Sequence, residues 1–286
     1  MTFCLYDIII YYKIRQKTTK TKNTSERNGL KYKMYILAID TTAKTASVCV
    51  GKEENGSFTP LSLWSSNCGF THSETLLPMA DSCISACGIT ADELSCIAVS
   101  AGPGSFTGVR IGVACAKGIS FGLSAKGIAH TCISVSSLFS LAENVRHYHG
   151  YIICPVMDAR RSQFYNALFR KNTKGELVRL CEDRLPTAAQ IYDELSEKYA
   201  GKKILLVGDG AMLCRSLFDK IAADKGECPF GYKVCDSTDM YQNAASVAKV
   251  ALFSKESKTV GGDELSPIYL RASQAERERL EKEATK

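Results

Sequence analysis

The sequence contains no His-Glu-x-x-His pair, no Cys-x-x-Cys pair, and no apolar run approaching the roughly 20 residues a membrane-spanning helix needs. These absences exclude a zinc-peptidase motif and a paired-thiol metal or redox site, and they predict no membrane association. Histidine is scarce: His72, His130, His147 and His149 are too scattered to build a zinc site with the cysteines. Cysteine is not scarce, but the thirteen are odd in number and irregularly spaced. Ile8–Tyr12 is a short apolar run with Asp7 before it and no small-residue cleavage site after it, a poor secretory signal. Free, mostly buried thiols in a cytoplasmic protein are therefore expected. Unbalanced charge is missing too, once the first 33 residues are set aside. The formal net charge is +6, and residues 1–33 hold eight Lys or Arg against Asp7 and Glu26. The 28 basic and 28 acidic residues that remain cancel. A neutral body gives no sign of a nucleic-acid-binding surface. Residues 1–33 are expected to be a disordered extension, and the fold to begin at the strand that opens with Met34.

What is present is centred on Ser100 to Gly122. An apolar strand, Cys96–Val99, runs into Gly102-Pro103-Gly104, a turn sequence. From Thr107, the expected N-cap, the text is helical, with Arg110 and Lys117 its only charges. Such a helix is apolar nearly all round, and is covered on more than one side. A second helix of wide apolar arc is expected from about Ser73, its candidate cap, to Cys87, with Gly88 just past its end.

The pattern along the chain also repeats. Met34 to Asp40 is an apolar strand ending in Asp40-Thr41-Thr42, followed by returning strands at Thr45–Gly51 and Thr59–Trp64. Ile152 to Met157 ends in Asp158-Ala159-Arg160-Arg161, with strands at Gln163–Arg170 and Leu177–Glu182 after it. Helices and strands follow each copy, including a strand at 204–207 that runs into Gly208-Asp209-Gly210-Ala211. Residues 225–237 read as a surface excursion, and 258–264 as a loop. Strand, aspartate turn and returning strand thus occur twice, which predicts an α/β protein of two ribonuclease-H-like units with the actin-like (ASKHA) fold. The expected division is 34–137 and 138–272, with a terminal helix over 273–286 packing back on the first unit. In that fold the two aspartate turns face each other across nucleotide phosphates, with backbone N–H groups on the phosphates and carboxylates on a metal or its waters.

Ile39-Asp40-Thr41-Thr42, His72 to Pro78 (HSETLLP), Gly102 to Arg110 (GPGSFTGVR), Asp158 to Arg161, and Pro267 to Arg271 (PIYLR) occur in an order that resembles the bacterial TsaB (YeaZ) family. The resemblance spans residues 34–271. It implies a component of the machinery that makes N6-threonylcarbamoyladenosine beside the anticodon of tRNAs reading codons that begin with A. It implies a non-catalytic relative that binds the transferase TsaD, with the ATPase TsaE joining, that pairs with itself when TsaD is absent, and that meets tRNA only indirectly. TsaD-like proteins hold a metal with two histidines, and the matching positions here are Ser137 and Leu141, which ligate poorly or not at all. No catalytic residue and no metal site is expected.

The candidate nucleotide site is Asp40, Thr41, Thr42, Asp158, Arg160, Arg161, Gly208 and Gly210. It is expected to be vestigial, because two arginines stand where small residues let a backbone approach phosphates. No cofactor is required, with weak ATP or ADP binding at most. The candidate partner interface is His72, Leu76, Leu77, Ala80 and Cys83 of one helix with Phe106, Arg110, Val113, Ala116 and Lys117 of the other. An active kinase or phosphohydrolase of the same fold is the alternative.

Overall fold

The computed structural model describes residues 33–68 and 71–271. The expected extension before Lys33 and the expected terminal helix lie outside them. Eleven strands form two sheets. In the first, β1 (Lys33–Asp40), β2 (Ala46–Glu54) and β3 (Ser57–Ser66) are antiparallel, and β4 (Leu94–Gly102) and β5 (Thr131–Ser136) continue parallel from β1. In the second, β6 (Tyr151–Asp158), β7 (Phe164–Lys171) and β8 (Leu177–Arg184) repeat the antiparallel set. Parallel to β6 follow β9 (Lys203–Val207) and β10 (Gly231–Val234). The spatial orders β3-β2-β1-β4-β5 and β8-β7-β6-β9-β10 are the same. Among the described residues one ribonuclease-H-like topology occurs twice, as the repeated aspartate turn predicted.

The helices are α1 (His72–Ala86), α2 (Phe106–Ala125), α3 (Ser137–Asn144), α4 (Ala188–Lys198), α5 (Ala211–Lys225) and α6 (Ala244–Phe253). They form three layers around the two sheets. On the outer face of the first sheet, α1 and α2 cover Leu37, Ile39, Ile97 and Val99. On the outer face of the second, α4 and α5 cover Cys154, Val156 and Leu206. Between the sheets lie α3 and α6, and a single core runs from Ile36 and Ala38 through Leu138 and Val247 to Ile153 and Phe169. Being covered on two sides explains the almost wholly buried sequence of α6. No helix of the described residues is long and apolar enough to cross a membrane.

Several boundaries differ from the sequence reading. A cap at Thr107 is corrected to Ser105, whose hydroxyl accepts from Gly108 N at 3.3 Å, so α2 begins two residues earlier. Helix α1 follows Thr71 rather than Ser73 and has no side-chain cap, while Gly88 past its end takes φ +65° as expected. The presumed excursion contains β10, which extends the second sheet. The presumed 258–264 loop contains β11 (Lys258–Val260), antiparallel to β5. After the second unit the chain returns to the first, with α6 packing on β1 and β2 and β11 closing the first sheet's edge. Hydrogen bonding between Thr259 and its partner Ile133, 126 residues away, leaves no local signature.

Candidate functional site

At the first aspartate turn, β1 delivers Asp40 into a sealed polar knot. Asp40, Thr41 and Thr42 are all buried. Asp40 Oδ1 accepts from Thr42 N at 2.9 Å and Thr42 Oγ1 at 2.7 Å, and Oδ2 accepts from Ser100 Oγ at 2.6 Å. Burial raises the pKa of this carboxyl, against the opposing pull of those hydrogen bonds. The start of α2 lies directly on the turn. Thr41 Oγ1 donates to Gly108 O at 2.7 Å, and Ser105 N donates to Thr42 O at 2.7 Å. A Cβ at Gly108 would lie 2.0 Å from Thr41 O, and one at Gly104 2.3 Å from Thr42 O. The Gly-Pro-Gly turn and its helix therefore close directly over the Asp40–Thr42 turn.

The second turn is open. Asp158 Oδ1 accepts from Arg160 N at 2.7 Å, and Arg160, Arg161 and Ser162 are exposed with φ of 64°, 56° and 59°. Three successive non-glycine residues in the left-handed region are costly, about 1 kcal/mol or more each. The turn is held from outside: Arg271 Nη1 donates to Ala159 O at 2.9 Å, and its Nη2 donates to Gln163 Oε1. The Arg160 and Arg161 guanidinium groups make no hydrogen bond or ion pair among the described residues. Gly208 and Gly210 reach this turn. Gly210 N donates to Val156 O at 3.1 Å, and Cβ atoms there would lie 2.3 Å from Val156 O and 3.0 Å from Asp158 N respectively. Asp209, between them, keeps an exposed surface, and desolvation by the protein around its carboxyl, with Asp158 close by, pushes its pKa up to about 6.

The structure thus brings Asp158, Arg160, Gly208 and Gly210 together, and separates them from the buried Asp40–Thr42 set. The divider is α3. Ser137, buried, donates to Pro103 O, and Leu141 packs against Gly208, 3.3 Å from a Cβ built there. These are the two positions where the resemblance implies metal-binding histidines in TsaD-like proteins. No cluster of three or more His, Cys, Asp or Glu suited to a metal ion occurs among the described residues. His72 instead places Nε2 2.9 Å from Ala43 O.

The helical face divides in two. Leu76, Ala80, Cys83, Val113 and Ala116, expected to meet a partner, are buried against their own sheet. That part of the expectation is corrected: the i, i+3, i+4 stripe they form is the core-facing one. Phe106, Arg110 and Lys117 contact the segment after β11. Phe106 stacks on Tyr269 with centroids 4.8 Å apart, Arg110 lies 3.9 Å over the Phe106 ring, and Arg110 Nε donates to Tyr269 Oη at 2.8 Å. Lys117 Nζ donates to Asp263 O at 3.0 Å. Leu77 remains exposed (59%), and Phe121, which the sequence reading left out, is 52% exposed. With Phe121, Ala114, Gly118 and Gly122 make a solvent-facing strip of small residues on α2, and nothing lies within 4 Å of a Cβ built on either glycine. The signal was present as Gly118 and Gly122 at i, i+4.

The family model for TsaD, tRNA N6-adenosine threonylcarbamoyltransferase, matches residues 67–279. The chain is 31% identical over 248 residues to the tRNA threonylcarbamoyladenosine biosynthesis protein TsaB of Bacillus subtilis, covering 87% of this chain and 99% of that one. It is 27% identical to the TsaB of Escherichia coli, with 83% and 95% covered. Among solved structures, a Pseudomonas aeruginosa protein described as similar to peptidase YEAZ superposes with TM-score 0.63 at 21% identity, covering 83% of this chain and all of that one. A second structure, YeaZ from the same organism, gives 0.62.

Proposed function

The chain belongs to the TsaB family, within the wider family that the TsaD model describes, and from that premise we propose that it is a non-catalytic subunit in threonylcarbamoyladenosine formation on tRNA. Its role is to dock on TsaD, with TsaE joining the assembly, and to hold TsaD in a competent state for threonylcarbamoyl transfer. Ser137 and Leu141 in place of the metal-binding histidines support the lack of catalysis. The buried Asp40 turn supports a nucleotide cleft that no longer works as one.

One observation carries the docking. The outer strip of α2 keeps Gly118 and Gly122 where a side chain would meet nothing, beside exposed Phe121 and, on α1, Leu77. Mid-helix glycine is destabilising by about 0.5–1 kcal/mol relative to alanine, and nothing among the described residues compensates. Close approach of a partner backbone does. When TsaD is absent, the same strip pairs with a second copy of this chain.

The test is co-purification with TsaD of the variants Leu77→Glu and Phe121→Glu. Both side chains are on the surface, so the folded protein should persist by circular dichroism. Complex formation should weaken by about 2 kcal/mol or more, roughly thirty-fold. Undiminished co-purification of both variants would place the interface elsewhere.

A further inference from the structure

A cavity of about 1080 Å³ lies away from both aspartate turns. It opens between the two lobes at the other ends of the strands. Its walls are the β2–β3 turn (Gly56–Phe58) and the end of α6 on one side, and the end of α3 and the β7–β8 turn on the other. In β1 the register runs from Lys33 opposite Glu54, next to this cavity, to Asp40 opposite Ser47. In β6 it runs from Ile152 opposite Arg170 to Asp158 opposite Phe164. A strand of eight residues therefore separates the cavity from each aspartate turn, roughly 25 Å at the usual rise per residue.

Five cationic side chains and three carboxylates line it. The carboxylates are all engaged. Glu143, 8% exposed, has Arg146 Nη1 3.3 Å from its Oε1; Glu256 takes Arg179 Nε at 2.6 Å; Glu176 accepts from Asn172 Nδ2 at 2.8 Å. Arg146 and Arg179 are in turn committed to these and to Gly175 O and Asp183. The lysines are not. Lys249, half-buried on α6, and Lys255 make no hydrogen bond or close ion pair among the described residues, and Lys171 Nζ lies 3.3 Å from His149 Nδ1, while Lys249 and Lys171 feel the Glu143 carboxylate at longer range. Lysines held apart around a concave space provide point charges for an anion, where a bidentate arginine site would favour planar groups. The floor is apolar, with Phe58, Phe139 and Phe253 on the same cavity. Asn144, which also lines it, has a buried Oδ1 with no donor.

We propose that this inter-lobe cavity is a binding site for a small organic phosphate, whose anionic group is held by Lys171, Lys249 and Lys255 and whose apolar body lies on the phenylalanine floor. Lys249 belongs to a helix packed on the first sheet and Lys171 to the second sheet, so a ligand held by both joins the lobes. The site is independent of the docking strip on α1 and α2.

Calorimetric titration of the full chain with inorganic phosphate and with phenyl phosphate tests the proposal. Both should bind saturably, phenyl phosphate more tightly. Lys249→Gln should weaken both by about ten-fold, the effect of deleting one charged contact to an anion. Lys171→Gln, at the cavity's other wall, should do the same if Lys249→Gln proves unfolded. Binding by neither probe, or binding indifferent to both lysine variants, would overturn the site. Loss of binding in Arg160→Gln/Arg161→Gln would also overturn it, by moving the anion to the Asp158 turn. Equal affinity for the two probes would overturn the part played by the phenylalanines.

Discussion

Asp40 ends its strand as a residue of its type commonly does, and that much the sequence carries. What closes around it is not local: Ser100 stands 60 positions away, and Gly108, which binds Thr41, 67 positions beyond that threonine. The result is a buried carboxyl whose three donors all come from its own protein. Its folded pKa is raised by burial. A carboxyl so shifted keeps its proton in the folded state to a higher pH than in the unfolded chain. Its contribution to stability is therefore greatest at low pH and falls as pH rises from about 3.9, the unfolded value, through the folded value. Asp40→Asn removes that titration while one amide atom still accepts from Thr42 N and the other faces Ser100. Its urea midpoint should change little near neutral pH and should lack the decline from acid pH expected of the native protein. Asp40→Ala orphans the Thr42 N–H and two hydroxyls in the interior and should cost about 3 kcal/mol. Equal damage by both variants would mean that the charge itself is needed, as a cation site would require.

Helix α2 shows how far an amphipathic pattern reaches. Its existence is plain from the sequence, and so is its apolar character nearly all round. Which side meets the sheet is not, because both are apolar and hydrophobic periodicity has no contrast to report. The glycines separate the faces once coordinates are present. Gly108 presses on Thr41 O, with only 2.0 Å left for a Cβ, while Gly118 and Gly122 face open space. Alanine at Gly108 must move backbone, and should destabilise the protein by about 2 kcal/mol or more. Alanine at Gly118 and Gly122 should raise stability in the isolated protein, by about 0.5–1 kcal/mol at each position. The same two changes should weaken complex formation with TsaD. Thermal denaturation and co-purification measured on one set of variants separate these effects. A pair of alanines that stabilises the protein and leaves the complex intact would remove the reason given for the glycines.

At the scale of the whole molecule, the duplicated topology was legible because each lobe begins with a strand, an aspartate turn and a returning strand. The return of the chain after the second lobe was not, since α6, β11 and residues 261–271 act through contacts with distant strands. That last segment ties the lobes together. Ile268 N donates to Ala101 O at 2.7 Å in the first lobe, Tyr269 stacks on Phe106, and Arg271 grips the Ala159–Gln163 turn of the second. The left-handed run at Arg160, Arg161 and Ser162 persists only if its surroundings over-determine it, and Arg271 is the side chain that reaches across to do so. Arg271→Ala should lower global stability modestly, by about 1–2 kcal/mol, since the side chain is only half-buried. Its larger effect should be local. Amide exchange at Ala159, Arg160 and Gln163 should accelerate beyond what the global loss accounts for, while Leu37–Ile39 at the centre of the first sheet follows the global loss alone. Uniform acceleration in both lobes would mean that Arg271 adds only general stability and that the turn holds its own conformation.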